Sequence, residues 1–213
     1  MNGPGSPTIA ERSPSSFWKR ERRVSRCSAR RTKWGTAPRR PPHSLSRCVV
    51  PRANLLGEPG AGLQLLLTAL NKSRPSVAAY ALGIARAAFE DSVSYINERR
   101  QSGRRIVEFQ GIQFMLADLA TELALCEAWL WHVAHLIDSG SDDFAVEASM
   151  LKMRASDLAM RVTTEAVQLY GGYGYCKDYR VERLMRDAKI TQIWEGTNQI
   201  HRQLIGRSFI DKR

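Results

Sequence analysis

Apolar residues return at three- and four-residue steps through most of the chain beyond residue 75. Leu82, Ala85, Phe89, Val93 and Ile96 predict a long helix ending near Arg100, with Ser73 as its N-cap and Pro75 in its first turn. Ile112, Met115, Leu119, Leu123, Cys126, Leu130, Val133 and Ile137 form a second unbroken stripe, over about 107–137. A third stripe, Leu151, Ala155, Leu158, Val162, Ala166 and Leu169, predicts a helix from about 143 to 170. Val181, Leu184, Met185 and Ala188 share one face of a short helix, and Thr197 or Asn198 can cap a last one over 199–209. Ahead of these, 63–70 reads as a short apolar helix, and Gly57, Pro59 and Gly60 punctuate a turn. Ser102 and Gly103 mark another turn, and no stretch of the body alternates as a strand. The expected fold is all-α: an antiparallel four-helix bundle.

Charge divides the chain. The formal net charge is +11, but residues 1–50 hold 12 Lys+Arg against 2 Asp+Glu, so the remainder is nearly balanced. A basic binding face on the folded part is therefore not expected, and nucleic acid is an unlikely partner. Residues 1–48 are rich in Arg, Ser and Pro and show neither period, which predicts disorder. Their composition fits a nucleic-acid arm, a transit peptide, or a stretch read in a shifted frame of GC-rich coding sequence; the third reading is preferred. Cys27, Cys48, Cys126 and Cys176 have no metal or CxxC spacing, so free thiols in a reducing compartment are expected. No apolar run is long enough to span a bilayer, and no membrane partner is expected.

Candidate chemistry concentrates at Glu195. It follows an aromatic ring, precedes Gly196, and lies where one helix gives way to the next. A general base suits such a place, although a carboxylate ahead of a helix is also favoured by the helix dipole alone. Gly171, Gly172 and Gly174 follow a helix without a preceding strand or a Gly-Lys-Ser/Thr, so by pattern they make a C-cap. Arg99 and Arg100 suit a helix C-terminus. His132 and His135 lack further ligands at metal spacing, and Trp129 and Trp131 are expected to pack. Trp194 suits either the lining of a pocket or a staple at the corner.

Two strings carry a resemblance. Arg-Asp-Ala-Lys-Ile at 186–190 followed by Ile-Trp-Glu-Gly-Thr-Asn-Gln-Ile at 193–200 resembles the C-terminal signature of the acyl-CoA dehydrogenases. Gln-Leu-Tyr-Gly-Gly-Tyr-Gly-Tyr at 168–175 matches that family at its usual distance. The likeness runs from about Val49 to the end, which implies a remnant of a β domain and linker at 49–60 and the family's helical C-terminal domain at 61–213.

The resemblance implies FAD-dependent α,β-dehydrogenation of acyl-CoA thioesters, with Glu195 removing the α-proton. It implies Asn71, Arg74 and Gly196 as substrate contacts, and Arg99, Gln101, Gln110, Gln168, Gly171, Gly172, Thr197 and Gln199 as FAD contacts, with no metal. Gln101 departs from the family's hydroxyl, and Phe109 stands where relatives carry His. One branch of the family places its base at the position of Ser73, where this chain has no acid. The implied partners are acyl-CoA, an electron-transfer flavoprotein and further copies of the chain. The implied location is the cytoplasm, or the mitochondrial matrix in a eukaryote. Most of the family's β domain and its N-terminal helical domain have no counterpart here, so weak FAD binding and impaired activity are expected. The alternatives are a helical bundle that only oligomerises, a nucleic-acid-binding flavoprotein of the same fold, and an acyl-CoA oxidase.

Overall fold

The computed structural model describes residues 24–26, 43–45, 51–141 and 144–210. It divides into two units, which meet in sequence near residues 67 and 68.

In the first unit, β1 (Val24–Arg26) pairs antiparallel with β2 (His43–Leu45), Ser25 opposite Ser44. These short strands lie inside the segment expected to have no regular structure; the rest of 1–48 lies outside the described residues. Arg52–Asn54 form a 3₁₀ turn, and Gly57 and Gly60 both take positive φ, as their punctuating role requires.

The first helix corrects the sequence reading. Instead of a short helix and a new start at Ser73, one helix, α1, runs unbroken over Gly62–Glu98 with Pro75 inside it. Pro75 has no N–H to return to Asn71, which removes one rung. The helix is nonetheless carried through by burial of Arg74, Pro75, Val77, Ala78, Ala81 and Leu82. Ser73 is accordingly no N-cap: it lies inside the helix, its Oγ 3.0 Å from the Leu70 carbonyl.

In the second unit, α1 leads into a hairpin that the sequence reading missed. β3 (Arg100–Gln101) pairs with β4 (Arg104–Arg105) across Ser102 and Gly103, both at positive φ. Two consecutive left-handed residues are what a two-residue hairpin needs. The helices α2 (Gln110–Asp138), α3 (Ala145–Tyr170), α4 (Val181–Thr191) and α5 (Asn198–Ile210) follow. A 3₁₀ turn, Gly171–Tyr175, joins α3 to α4.

The expected stripes meet in one core. Ala81, Leu82 and Ala85 of α1 join Leu119, Leu123 and Val133 of α2 and Leu151, Leu158 and Val162 of α3. Gly171 ends α3 at φ +60, the C-cap its pattern predicts. Thr197 caps α5, its Oγ1 accepting from the Ile200 N–H at 3.4 Å. Trp131 corrects another expectation: it is 76% exposed, whereas Trp129 lies against the core and donates to Glu147 at 2.9 Å. Among the described residues, no helix is long and apolar enough to cross a membrane.

Candidate functional site

The site is built around the corner between α4 and α5. Glu195 has φ +51 and Gly196 φ +97, so two successive residues turn left-handed. For a residue with a side chain this costs about 1 kcal/mol, and it persists only where its surroundings enforce it. Here Asn198 N–H donates to the Gln192 carbonyl at 3.1 Å, closing the loop on itself. From α3, Lys152 Nζ donates to the Gly196 carbonyl at 2.7 Å and to Asn198 Oδ1 at 3.1 Å. Asn198 Nδ2 donates to Ser156 Oγ and Asp157 Oδ1, both at 2.8 Å. Asp157 also accepts from Gln192 and Arg202, each at 2.7 Å. The corner is thus bolted to α3 by side chains from both flanks.

The Glu195 carboxylate turns toward α1. Ser73 Oγ donates to Glu195 Oε2 at 2.5 Å, across 122 residues of chain. Arg74 lies directly behind, only 6% exposed, with Nη1 on Ser149 Oγ at 2.8 Å. Burial pulls the Arg74 guanidinium below its ordinary value, and the negative charge of Glu195 partly restores it. Arg74, expected as a substrate contact, lies buried in the bundle within reach of the Glu195 charge. Trp194 is on the rim, its ring 5.6 Å from that of Tyr80.

The structure sorts the expected FAD contacts into two groups. Arg99, Gln101, Gln168, Gly171 and Gly172 line one cleft of about 560 Å³, together with Tyr95, Tyr170, Tyr173 and Cys176. Its aromatic wall is a cluster: Tyr95 stacks on Tyr170 at 3.9 Å, and Arg99 lies over Tyr173 at 5.5 Å. Nothing comes within 4 Å of where a Cβ would stand on Gly171 or Gly172, so that backbone is open to a ligand. One guanidinium, two amides and bare glycine backbone suit a pyrophosphate, and the tyrosines suit an adenine or flavin ring. Thr197 and Gln199 belong instead to the Glu195 corner, and neither they nor Gln110 line the cleft. Asn71 is half-buried one turn before Pro75.

Lys152, His201, Ser149 and Asn198 were missed as site residues. Lys152 and His201 are fully buried, and neither nitrogen of His201 makes a hydrogen bond. A signal existed for Lys152: it stands between Ala148, Leu151 and Ala155, on the buried face of α3. Among the described residues no group of His, Cys, Asp and Glu could hold a metal ion, and His132 and His135 are exposed.

Comparison with known proteins places the fold. The family model for the acyl-CoA dehydrogenase C-terminal domain matches residues 60–210. An acyl-CoA dehydrogenase of Bacillus subtilis (strain 168) is 51% identical over 158 residues, 74% of this chain and 41% of the relative. An acryloyl-CoA reductase (NADH) of Anaerotignum propionicum is 47% identical over 165 residues, 78% of this chain and 42% of the relative. The solved butyryl-CoA dehydrogenase of Megasphaera elsdenii superposes with a TM-score of 0.74 at 46% identity, over 76% of this chain and 42% of that one. The chain thus spans about two fifths of the length of these relatives. The chain belongs to the acyl-CoA dehydrogenase family, in the part that forms the C-terminal domain.

Proposed function

We propose that this chain is the helical, base-bearing part of an acyl-CoA dehydrogenase, with Glu195 as the group that takes the proton α to a thioester carbonyl. The observation that carries the reading is the Glu195 carboxylate, held on a left-handed corner and gripped through one oxygen by Ser73. That grip fixes the carboxylate and leaves Oε1 to meet a proton. Buried Arg74 stands close enough for the Glu195 charge to act on its guanidinium. The backbone N–H of Glu195 is the donor this chain would bring to the thioester oxygen as negative charge develops there. Asn71 and Gly196 would flank the acyl group.

FAD, when bound, supplies the acceptor for the hydride leaving the β-carbon. Arg99, Gln101, Gln168 and the backbone of Gly171 and Gly172 would hold it from one subunit. Thr197, Gln199 and Glu195 would meet it from another copy, since the two groups lie apart on one chain. The redox partner would be an electron-transfer flavoprotein, and the setting the cytoplasm or the mitochondrial matrix.

The test is Glu195→Gln in a chain extended to the length of its relatives, assayed by acyl-CoA-dependent dye reduction. Turnover falls about 10²- to 10⁴-fold, the span general-base removal produces. Unchanged turnover would overturn the reading. A second reading, a bundle that assembles without turning over, is favoured for the isolated chain by its exposed Phe114, Leu125, Phe209 and Ile210.

A further inference from the structure

Behind the Glu195 corner sits a pair of buried titratable groups that the dehydrogenation step does not use. Lys152 of α3 and His201 of α5 both have no exposed surface. A buried ammonium is held only where acceptors replace its water, and Lys152 has two: the Gly196 carbonyl and Asn198 Oδ1. His201 has none. Its ring instead turns its Nε2 edge to the corner: a Cβ on Gly196 would stand 3.0 Å from Nε2 and 3.3 Å from Cε1.

The charges around the pair decide which member carries a proton. Arg74 of α1 and Glu195 of the corner face Lys152, with Asp157 on its own helix. Burial lowers Lys152 to about 8, with Arg74 pushing down and Asp157 and Glu195 pushing up. Burial, then Lys152 and Arg74, lower His201 to about 4; the adjoining Glu195 and Gly196 backbone offsets this only in part. At neutral pH the pocket therefore holds Lys152 as a cation and His201 as a neutral ring.

We propose that Lys152 and His201 are positioning residues for Glu195: a charged lysine that ties the Gly196 carbonyl into the bundle, and a neutral histidine that closes the space beneath it, so that loss of the lysine proton releases the corner. Both forms can donate to the two acceptors, but only the ammonium strengthens those bonds with its charge, so the neutral amine holds the Gly196 carbonyl more weakly. Without that tie, the backbone strain at Glu195 and Gly196 is opposed by the Gln192 contact, the Asn198 network and the Ser73 hydrogen bond to Glu195. The consequence for chemistry rests on Glu195 being the base; the conformational claim does not.

The experiment follows the carbonyl carbons of Glu195, Gly196 and Thr197 by carbon-detected NMR of the 213-residue chain from pH 6 to 10. In the wild type the three signals titrate together with one midpoint near 8, the value of Lys152, while carbonyls of Leu119 and Val133 stay still. Lys152→Met shows no titration and holds the wild-type high-pH positions throughout. Flat corner signals in the wild type, or an unchanged titration in Lys152→Met, would overturn the proposal. Where that variant does not fold, the Lys152 Cε signal of the wild type decides: a midpoint shared with Gly196 supports the tie, and a different one overturns it. Because no arm measures turnover, failure here and failure of Glu195→Gln are read separately.

Discussion

At residue 196 two constraints coincide. Its φ of +97 is one that L side chains rarely adopt, and a Cβ there would press on the His201 ring, 3.0 Å from Nε2. Gly196→Ala is expected to lower stability by about 1–3 kcal/mol. Gly83→Ala, in α1 with open space around it, should raise stability by up to about 1 kcal/mol. Urea unfolding of both variants checks the contrast. His201 sets an acid sensitivity whose sign follows from its lowered value. As pH falls from 6.5 to about 4, the unfolded chain takes up this proton and the folded chain does not, so stability is lost across that window. The loss approaches about 3 kcal/mol, and His201→Gln should remove it from the pH dependence of the urea midpoint. Glu195 itself was legible, because an acid beside glycine at the junction of two helical patterns is a local signal. Ser73 was misread because Ser-Arg-Pro is a helix-start pattern, and nothing local reveals that burial on both sides of Pro75 carries the helix through. Lys152 stood in plain view as a charge on an apolar stripe; what it ties could be known only from the fold.

At the scale of elements, the 3₁₀ turn after α3 places the glycine cleft, and it is clipped to α1 from two directions. Arg180 grips Asp91 with both ends of its guanidinium, at 2.6 and 2.8 Å, and Tyr170 Oη donates to the Asp91 carbonyl at 3.0 Å. Exposed pairs of this kind contribute at most about 1 kcal/mol, so their role is orientation rather than stability. The cleft supplies its own reporter. Cys176 is exposed on its wall, whereas Cys126 is 3% exposed with its thiol pushed up by burial. Iodoacetamide is expected to label Cys176 and spare Cys126, and millimolar FAD should slow the labelling. Peptide mass spectrometry reads both; labelling of Cys176 indifferent to FAD would count against the cleft as its site. The helical stripes of α2 and α3 were readable because their period is strict. The hairpin at 100–105 was not, because two-residue strands carry no period to read.

At the scale of the whole molecule, large apolar side chains stand exposed among the described residues. Phe114 and Leu125, eleven positions apart and so on one side of α2, are 61% and 66% exposed. Concentration-dependent self-association is expected by light scattering, and Phe114→Glu with Leu125→Glu should suppress it. The cleft residues are present, but a flavin ring needs more enclosure than one open face provides. Purified chain is therefore expected to lack stoichiometric flavin absorbance, and a fully yellow preparation would refute that.

The reversed twist at Glu195 and Gly196 also has a stereochemical meaning. A mirror-image residue prefers the backbone angles that Gly196 adopts, and its methyl group would replace the other α-hydrogen, away from the imidazole. Because Cys176 lies outside the helices and 20 positions upstream, a synthetic C-terminal peptide could be ligated there with D-alanine in place of Gly196. Such a semisynthetic chain should be firmer at this bend than the natural one, while its L-alanine counterpart weakens it: chirality at a single atom would report which way the bend is wound.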